Sequence, residues 1–156
     1  MFDTPSSNDD ILQKVVQFEE MLKGKSFTFF DVDDYEKIVD YYIDVEMTSK
    51  AISALDFGLN QFPNDLTLSL IKVEVLNSKQ LFDDSFRLLK LLEQFYPNNI
   101  DILFNLGKIY SITNRIQTAK IYYENTLNLI RVNDSYNDLL SDIAYEFLQI
   151  GQKHYF

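Results

Sequence analysis

The feature that most limits what this chain can fold into is a set of residue types that returns every 34 positions. Asn60-Gln61-Phe62-Pro63-Asn64 is echoed by Glu93-Gln94-Phe95-Tyr96-Pro97-Asn98, and 97 minus 63 gives the period. The fullest copy downstream is Leu103, Leu106, Gly107, Tyr110, Ala119 and Tyr123. One period earlier stand Ser69, Lys72, Val73, Leu76, Ser85 and Leu89, and two periods earlier Tyr35, Ile38, Val39, Tyr42, Ala51 and Leu55. A repeat of roughly 20 to 50 residues marks a stack of identical supersecondary units, each burying its apolar face on the next. Within each copy the apolar residues recur at helical spacing. Only 4 Gly and 3 Pro interrupt the chain, which favours long helices over many short strands.

The small residues carry the packing. Ala51, Ser85 and Ala119 occupy one repeat position, where two antiparallel helices must cross closely. Gly58 and Gly107 serve the same approach, since a mid-helix Gly otherwise costs roughly 1 kcal/mol against Ala. The pattern of an aromatic, Leu-Gly, Tyr, then Ala, an aromatic and a closing Pro resembles that of tetratricopeptide-repeat proteins. The resemblance covers residues 32–131. It is strongest in the third copy, fair in the first and degenerate in the second, where Lys72 replaces the expected Leu. Its long stem is expected to lie on apolar surface with the ammonium in water. The resemblance implies an all-α, right-handed superhelix of antiparallel helix pairs, similar to the N-terminal part of a longer bacterial cytoplasmic protein of this family.

Helices are expected near 9–23, 32–46, 48–61, 65–78, 82–95, 99–112, 115–131 and 136–150. Residues 1–31 read as an N-terminal capping helix and an aromatic linker. The repeats occupy about 32–65, 66–99 and 100–133, and 134–156 holds the first helix of an incomplete fourth. In the capping helix Ile11, Leu12, Val15, Val16, Phe18 and Leu22 fall at helical spacing, and Gly24 supplies a C-terminal stop. The segment Phe27-Thr28-Phe29-Phe30 is expected to pack as an apolar strap, with an exposed aromatic docking motif as the alternative. In the fourth unit Leu140, Ile143, Ala144, Phe147 and Gly151 match the pattern three residues late. The apolar stripe of that helix is too broad for one buried face, so either the protein continues or this end meets another chain.

The residue types for most chemistries are missing. There is no Cys, so no disulfide, zinc knuckle or thiol nucleophile, and the cytoplasm is the default compartment. His154 is the one histidine, leaving no His pair for a metal and no triad. No glycine-rich phosphate loop exists. The run Asp31-Val32-Asp33-Asp34-Tyr35-Glu36 lacks the later ligands of a calcium loop and reads as an N-cap with first-turn acids, as do Asn8-Asp9-Asp10 and Asn64-Asp65. Paired carboxylates are numerous, but on a solenoid they ordinarily keep the surface soluble. We therefore expect no catalytic, cofactor or metal site and no enzyme. A net charge of -10 disfavours nucleic acid, and the acidic first helix disfavours a membrane surface.

In the family that the chain resembles, the first helix of each pair lines a concave surface. This assigns Asp33, Glu36, Asp40 and Asp44 to the groove in the first repeat, and Thr67, Leu70, Glu74 and Asn77 in the second. The third contributes Asp101, Phe104, Lys108 and Ser111, and the start of the fourth Asp138 and Tyr145. Family members that grip acidic chaperone tails use Lys, Arg and Asn at these places, whereas this groove offers one cation, Lys108. The expected function is a protein-interaction scaffold or adaptor holding a basic or amphipathic protein segment. A second interpretation remains open: at a net charge of -10 any exposed face is acidic, and the groove then carries no partner information. Two other functions compete, a homodimer through the C-terminal helix and a sensor of a signalling peptide.

Overall fold

A computed structural model of the chain describes residues 7–131 and 137–153, with side chains over 9–131 and 139–151. Those residues form helices and turns and no strand. The helices are α1 (Ser7–Leu22), α2 (Val32–Asp44), α3 (Thr48–Gln61), α4 (Leu66–Ser78), α5 (Phe82–Phe95), α6 (Ile100–Ile112), α7 (Ile116–Ile130) and α8 (Asn137–Lys153).

The 34-residue period is written into the backbone at two kinds of turn. Before α2, α4 and α6, the side chains of Asp31, Asp65 and Asn99 each accept the amide three residues on, at 2.8, 2.8 and 3.0 Å. Each oxygen satisfies a donor that the first helical turn leaves unpaired. After α2, α4 and α6, Glu46, Gln80 and Asn114 adopt left-handed φ angles of 58, 59 and 61°. Their amides return to Ile43, Asn77 and Ser111, and the next amides reach Tyr42, Leu76 and Tyr110 at 2.8 to 2.9 Å. This double bond pattern closes a helix and reverses the chain in three residues.

The chain divides into two compact units, Met1–Val75 and Leu76–Phe156. In the first, α2 packs between α1 and α3. Phe18 of α1 meets the edges of Phe30, Tyr35 and Phe57, with ring centroids 5.8 to 6.3 Å apart. Ala51, Ala54 and Leu55 of α3 are fully buried. Gly58 lets α3 close on α2, since a Cβ there would stand 3.1 Å from the Tyr35 ring. The hydroxyl of Tyr42 donates to Glu19 at 3.2 Å, and Lys50 reaches the same carboxylate at 2.5 Å. Lys14 ties α1 to Asp34, and Lys72, its side chain partly buried, pairs with Asp56 at 2.6 Å.

One expectation for this unit needs correction. Of the aromatic strap only Phe30 is buried, its carbonyl accepting Gln61 Nε2 at 2.9 Å, while Phe27 is 92% and Phe29 67% exposed. The segment alternates, one side facing the core and the other water. In α1 the buried stripe is Val15 and Phe18, flanked by Ile11 and Met21, whereas Leu12, Val16 and Leu22 face solvent. Its neighbours α2 and α3 cover one narrow stripe of it.

In the second unit α6 packs against α5, α7 and α8. Ile102, Leu106 and Ile109 are buried along it, and Gly107 lies under the ring of Tyr123. Tyr123 also meets Phe104 and Phe147 at 6.0 and 5.7 Å and donates to Glu146 at 3.1 Å. Ile143 and Ile150 fix α8 to this core, leaving Leu140, Ala144, Tyr145 and Leu148 on its exposed side.

Candidate interaction face

The acidic run that opens α2 separates into two roles. Asp31 and Asp34 cap the helix reciprocally, each side chain accepting the other's backbone amide. Burial pushes the Asp34 carboxyl up, but the bonds from Lys14 and the Asp31 amide outweigh it and hold the carboxyl below its ordinary range. Asp33, Glu36, Asp40 and Asp44 are left along the solvent side, three or four residues apart.

These four are not equivalent. Asp33 is paired with Lys37, the only lysine in α2, at 2.6 Å. Glu36, Asp40 and Asp44 make no ion pair with any cation of the described residues. Burial pushes the Glu36 carboxyl up, with Asp33, Asp65 and Asp40 adding to it. Burial and then Asp44 push Asp40 in the same direction. Lys37 offsets part of the rise at Glu36, but none of the three carboxylates has an ion-pair partner of its own among the described residues.

Beside this stripe α1 and α2 enclose a cleft of about 400 Å³, lined by Ile11, Leu12, Lys37, Asp40, Tyr41, Asp44 and Val45. Sequence reasoning passed over it, although Leu12 was a signal, being apolar in excess of what one buried stripe of α1 needs. A second cavity of about 490 Å³ lies in the other unit, where α7 supplies Ile121, Tyr122, Asn125, Asn128 and Leu129 and the end of α5 supplies Glu93. Glu93 accepts from Tyr122 at 2.7 Å and also pairs with Lys90.

No protein-family model matches this sequence, and no curated protein matches it. Solved structures do. The TPR2B domain of yeast Sti1, in its pHsp70 complex, superposes with a TM-score of 0.68 at 10% identity, over 78% of this chain and 96% of that one. MamA of strain AMB-1 gives 0.61 at 19% identity, over 92% and 86%. The first TPR of Spaghetti (RPAP3), bound to the HSP90 peptide SRMEEVD, gives 0.58 at 16%, over 73% and 90%. This chain has the tetratricopeptide-repeat fold.

Within that fold the other groove positions take varied states. In the first unit Leu70 is half-buried and Glu74 exposed. In the second, Asn77 has a buried Oδ1 with no hydrogen-bond donor, and burial pushes the carboxyl of Asp101 up. Phe104 is only 8% exposed and lies under the ammonium of Lys108, 5.5 Å from the ring centre. Lys108 therefore offers the charge at this place and Phe104 its support. Ser111 is buried, Thr67 and Tyr145 are exposed, and the side chain of Asp138 lies outside the described residues, as does His154. Among the described residues no three His, Cys, Asp or Glu are placed to hold a metal ion, and no helix is long and apolar enough to cross a membrane.

Proposed function

We propose that this chain is a non-enzymatic interaction scaffold that holds a basic or amphipathic protein segment against the acidic side of α2. The observation that carries this reading is the missing cation. Lys14, Lys37, Lys50 and Lys72, four of the six lysines of the first unit, are each committed to another carboxylate, and no cation of the described residues is paired with Glu36, Asp40 or Asp44. These three line one helix face at the spacing of successive turns, where like charges repel. The peptide held by the Spaghetti domain contains two Glu and one Asp, and such a ligand would meet repulsion on this face. A segment bearing Lys or Arg would relieve it.

The test is a titration of the full chain with a short labelled peptide of leucine and lysine in helical register, beside its leucine and glutamate counterpart. We expect the lysine peptide to bind, more weakly as salt rises, and the glutamate peptide not to bind. The variant carrying Asp33→Lys, Glu36→Lys and Asp40→Lys should lose the lysine peptide. Equal binding of both peptides, or indifference to the reversal, would overturn the reading.

A second reading rests on the outer side of α8, where Leu140, Ala144, Tyr145 and Leu148 form an apolar stripe about two turns long. Pairing of two copies through this stripe would remove it from water. Sedimentation across a dilution series reads it directly: a concentration-dependent dimer abolished by Leu148→Glu supports pairing, and a monomer at every concentration excludes it.

A further inference from the structure

The cleft between α1 and α2 has a divided chemistry. Its lining combines the hydrocarbon of Ile11, Leu12, Tyr41 and Val45 with two carboxylates of the charged stripe, Asp40 and Asp44. Leu12 and Val45 remain 46% and 41% exposed, so the cleft keeps apolar surface open to water. Lys37 also borders the cleft, but its ammonium is held by Asp33. Asp40 and Asp44 sit one helical turn apart without a cation between them.

A lining of hydrocarbon and two neighbouring carboxylates complements one kind of side chain, a long aliphatic stem ending in a positive fork. Arginine lays its methylenes on hydrocarbon while its guanidinium stays with the polar groups. Its planar donors can address two carboxylates at once, which a lysine ammonium does less well. We infer that this cleft is an arginine subsite, taking one arginine of the bound segment with an apolar neighbour of that arginine resting on Leu12 and Val45. The inference rests on the reading of α2 as the face for a basic segment, and it adds α1 to the binding surface.

The experiment is an amide-resolved NMR titration of the full chain with acetyl-Leu-Arg-Leu-amide, and with the citrulline peptide of the same shape and no charge. The arginine peptide should shift the amides of Leu12, Asp40, Tyr41 and Val45. The citrulline peptide should bind roughly tenfold more weakly, the difference between a charge-assisted and a neutral hydrogen bond. Asp40→Asn with Asp44→Asn should bring the arginine peptide down to the citrulline level, and Leu12→Ser should weaken both peptides alike. Both changes lie on exposed positions, so the fold is retained. Equal affinity of the two peptides overturns the subsite. So do shifts of the cleft amides on concentrating the protein alone, which would make a second copy the occupant. If the leucine and lysine peptide still responds to reversal of Asp33 and Glu36 while the tripeptide leaves Leu12 and Val45 unmoved, the subsite fails and the wider reading stands. If neither peptide binds, both fail.

Discussion

Gly107 lies against the face of Tyr123, so that a Cβ at position 107 would overlap the ring, within 2.6 Å of Cδ1. The ring has little room to retreat, being fully buried between Phe104 and Phe147 with its hydroxyl bonded to Glu146. Gly107→Ala should therefore destabilise the chain by about 1–2 kcal/mol, overpacking exceeding the helix propensity gained. Gly151 supplies the control, because a Cβ there meets nothing within 4 Å. Gly151→Ala should be stabilising by roughly 0.5–1 kcal/mol. Urea midpoints of the two variants should move in opposite directions.

The left-handed residues allow a swap test. Gln80 and Asn114 hold the same turn position with φ of 59 and 61°, and Asn tolerates that region better than Gln. Gln80→Asn should raise stability by a few tenths to about 1 kcal/mol, and Asn114→Gln should lower it by a similar amount. Thermal unfolding of the two single variants gives the answer, and equal shifts of the same sign would contradict it.

These turns also show what the sequence discloses and what it withholds. The period places the caps at Asp31, Asp65 and Asn99, and helices expected at 48–61 and 82–95 are found as Thr48–Gln61 and Phe82–Phe95. Local periodicity suffices because each turn is closed by residues within five positions of one another. Coverage is another matter. That Leu12 and Phe27 face water depends on how much surface a distant element offers them, and apolar spacing is silent on this. The acidic stripe of α2 was readable from its spacing, yet the commitment of Lys37 to Asp33 is a rotamer choice. The cleft beside the stripe joins residues 11 and 45, which no local pattern connects.

Alkaline pH should act on the aromatic network of the second unit. Burial, and then the bond to Glu93, push the Tyr122 phenol up from 10.0 to about 12. A raised folded value means that the folded state keeps its proton while the unfolded state loses it. Stability from this group is complete below pH 10 and is lost as pH rises from there through about 12. Tyr122→Phe should flatten that part of the stability profile, and spectroscopic titration should show one fewer late-ionising phenol.

On the acid side two sets of carboxyls pull in opposite directions. Lys50 holds Glu19 below 4.5, against burial, so the stability that Glu19 lends is present above 4.5 and disappears as pH falls through its lower folded value. Glu36 is the reverse, its carboxyl raised by burial and by its acidic neighbours. Ionised at neutral pH it opposes folding, and that opposition is relieved as pH falls through the raised value. Glu36→Gln should accordingly stabilise the free chain at pH 7, with the advantage gone below 4.5, where Glu36 is neutral in both states. The same variant should bind the leucine and lysine peptide less well at neutral pH, because the charge that strains the free protein is the one that the ligand neutralises. Greater stability with weaker binding, both vanishing as Glu36 takes up its proton, is a joint signature that a merely solvated acid would not give.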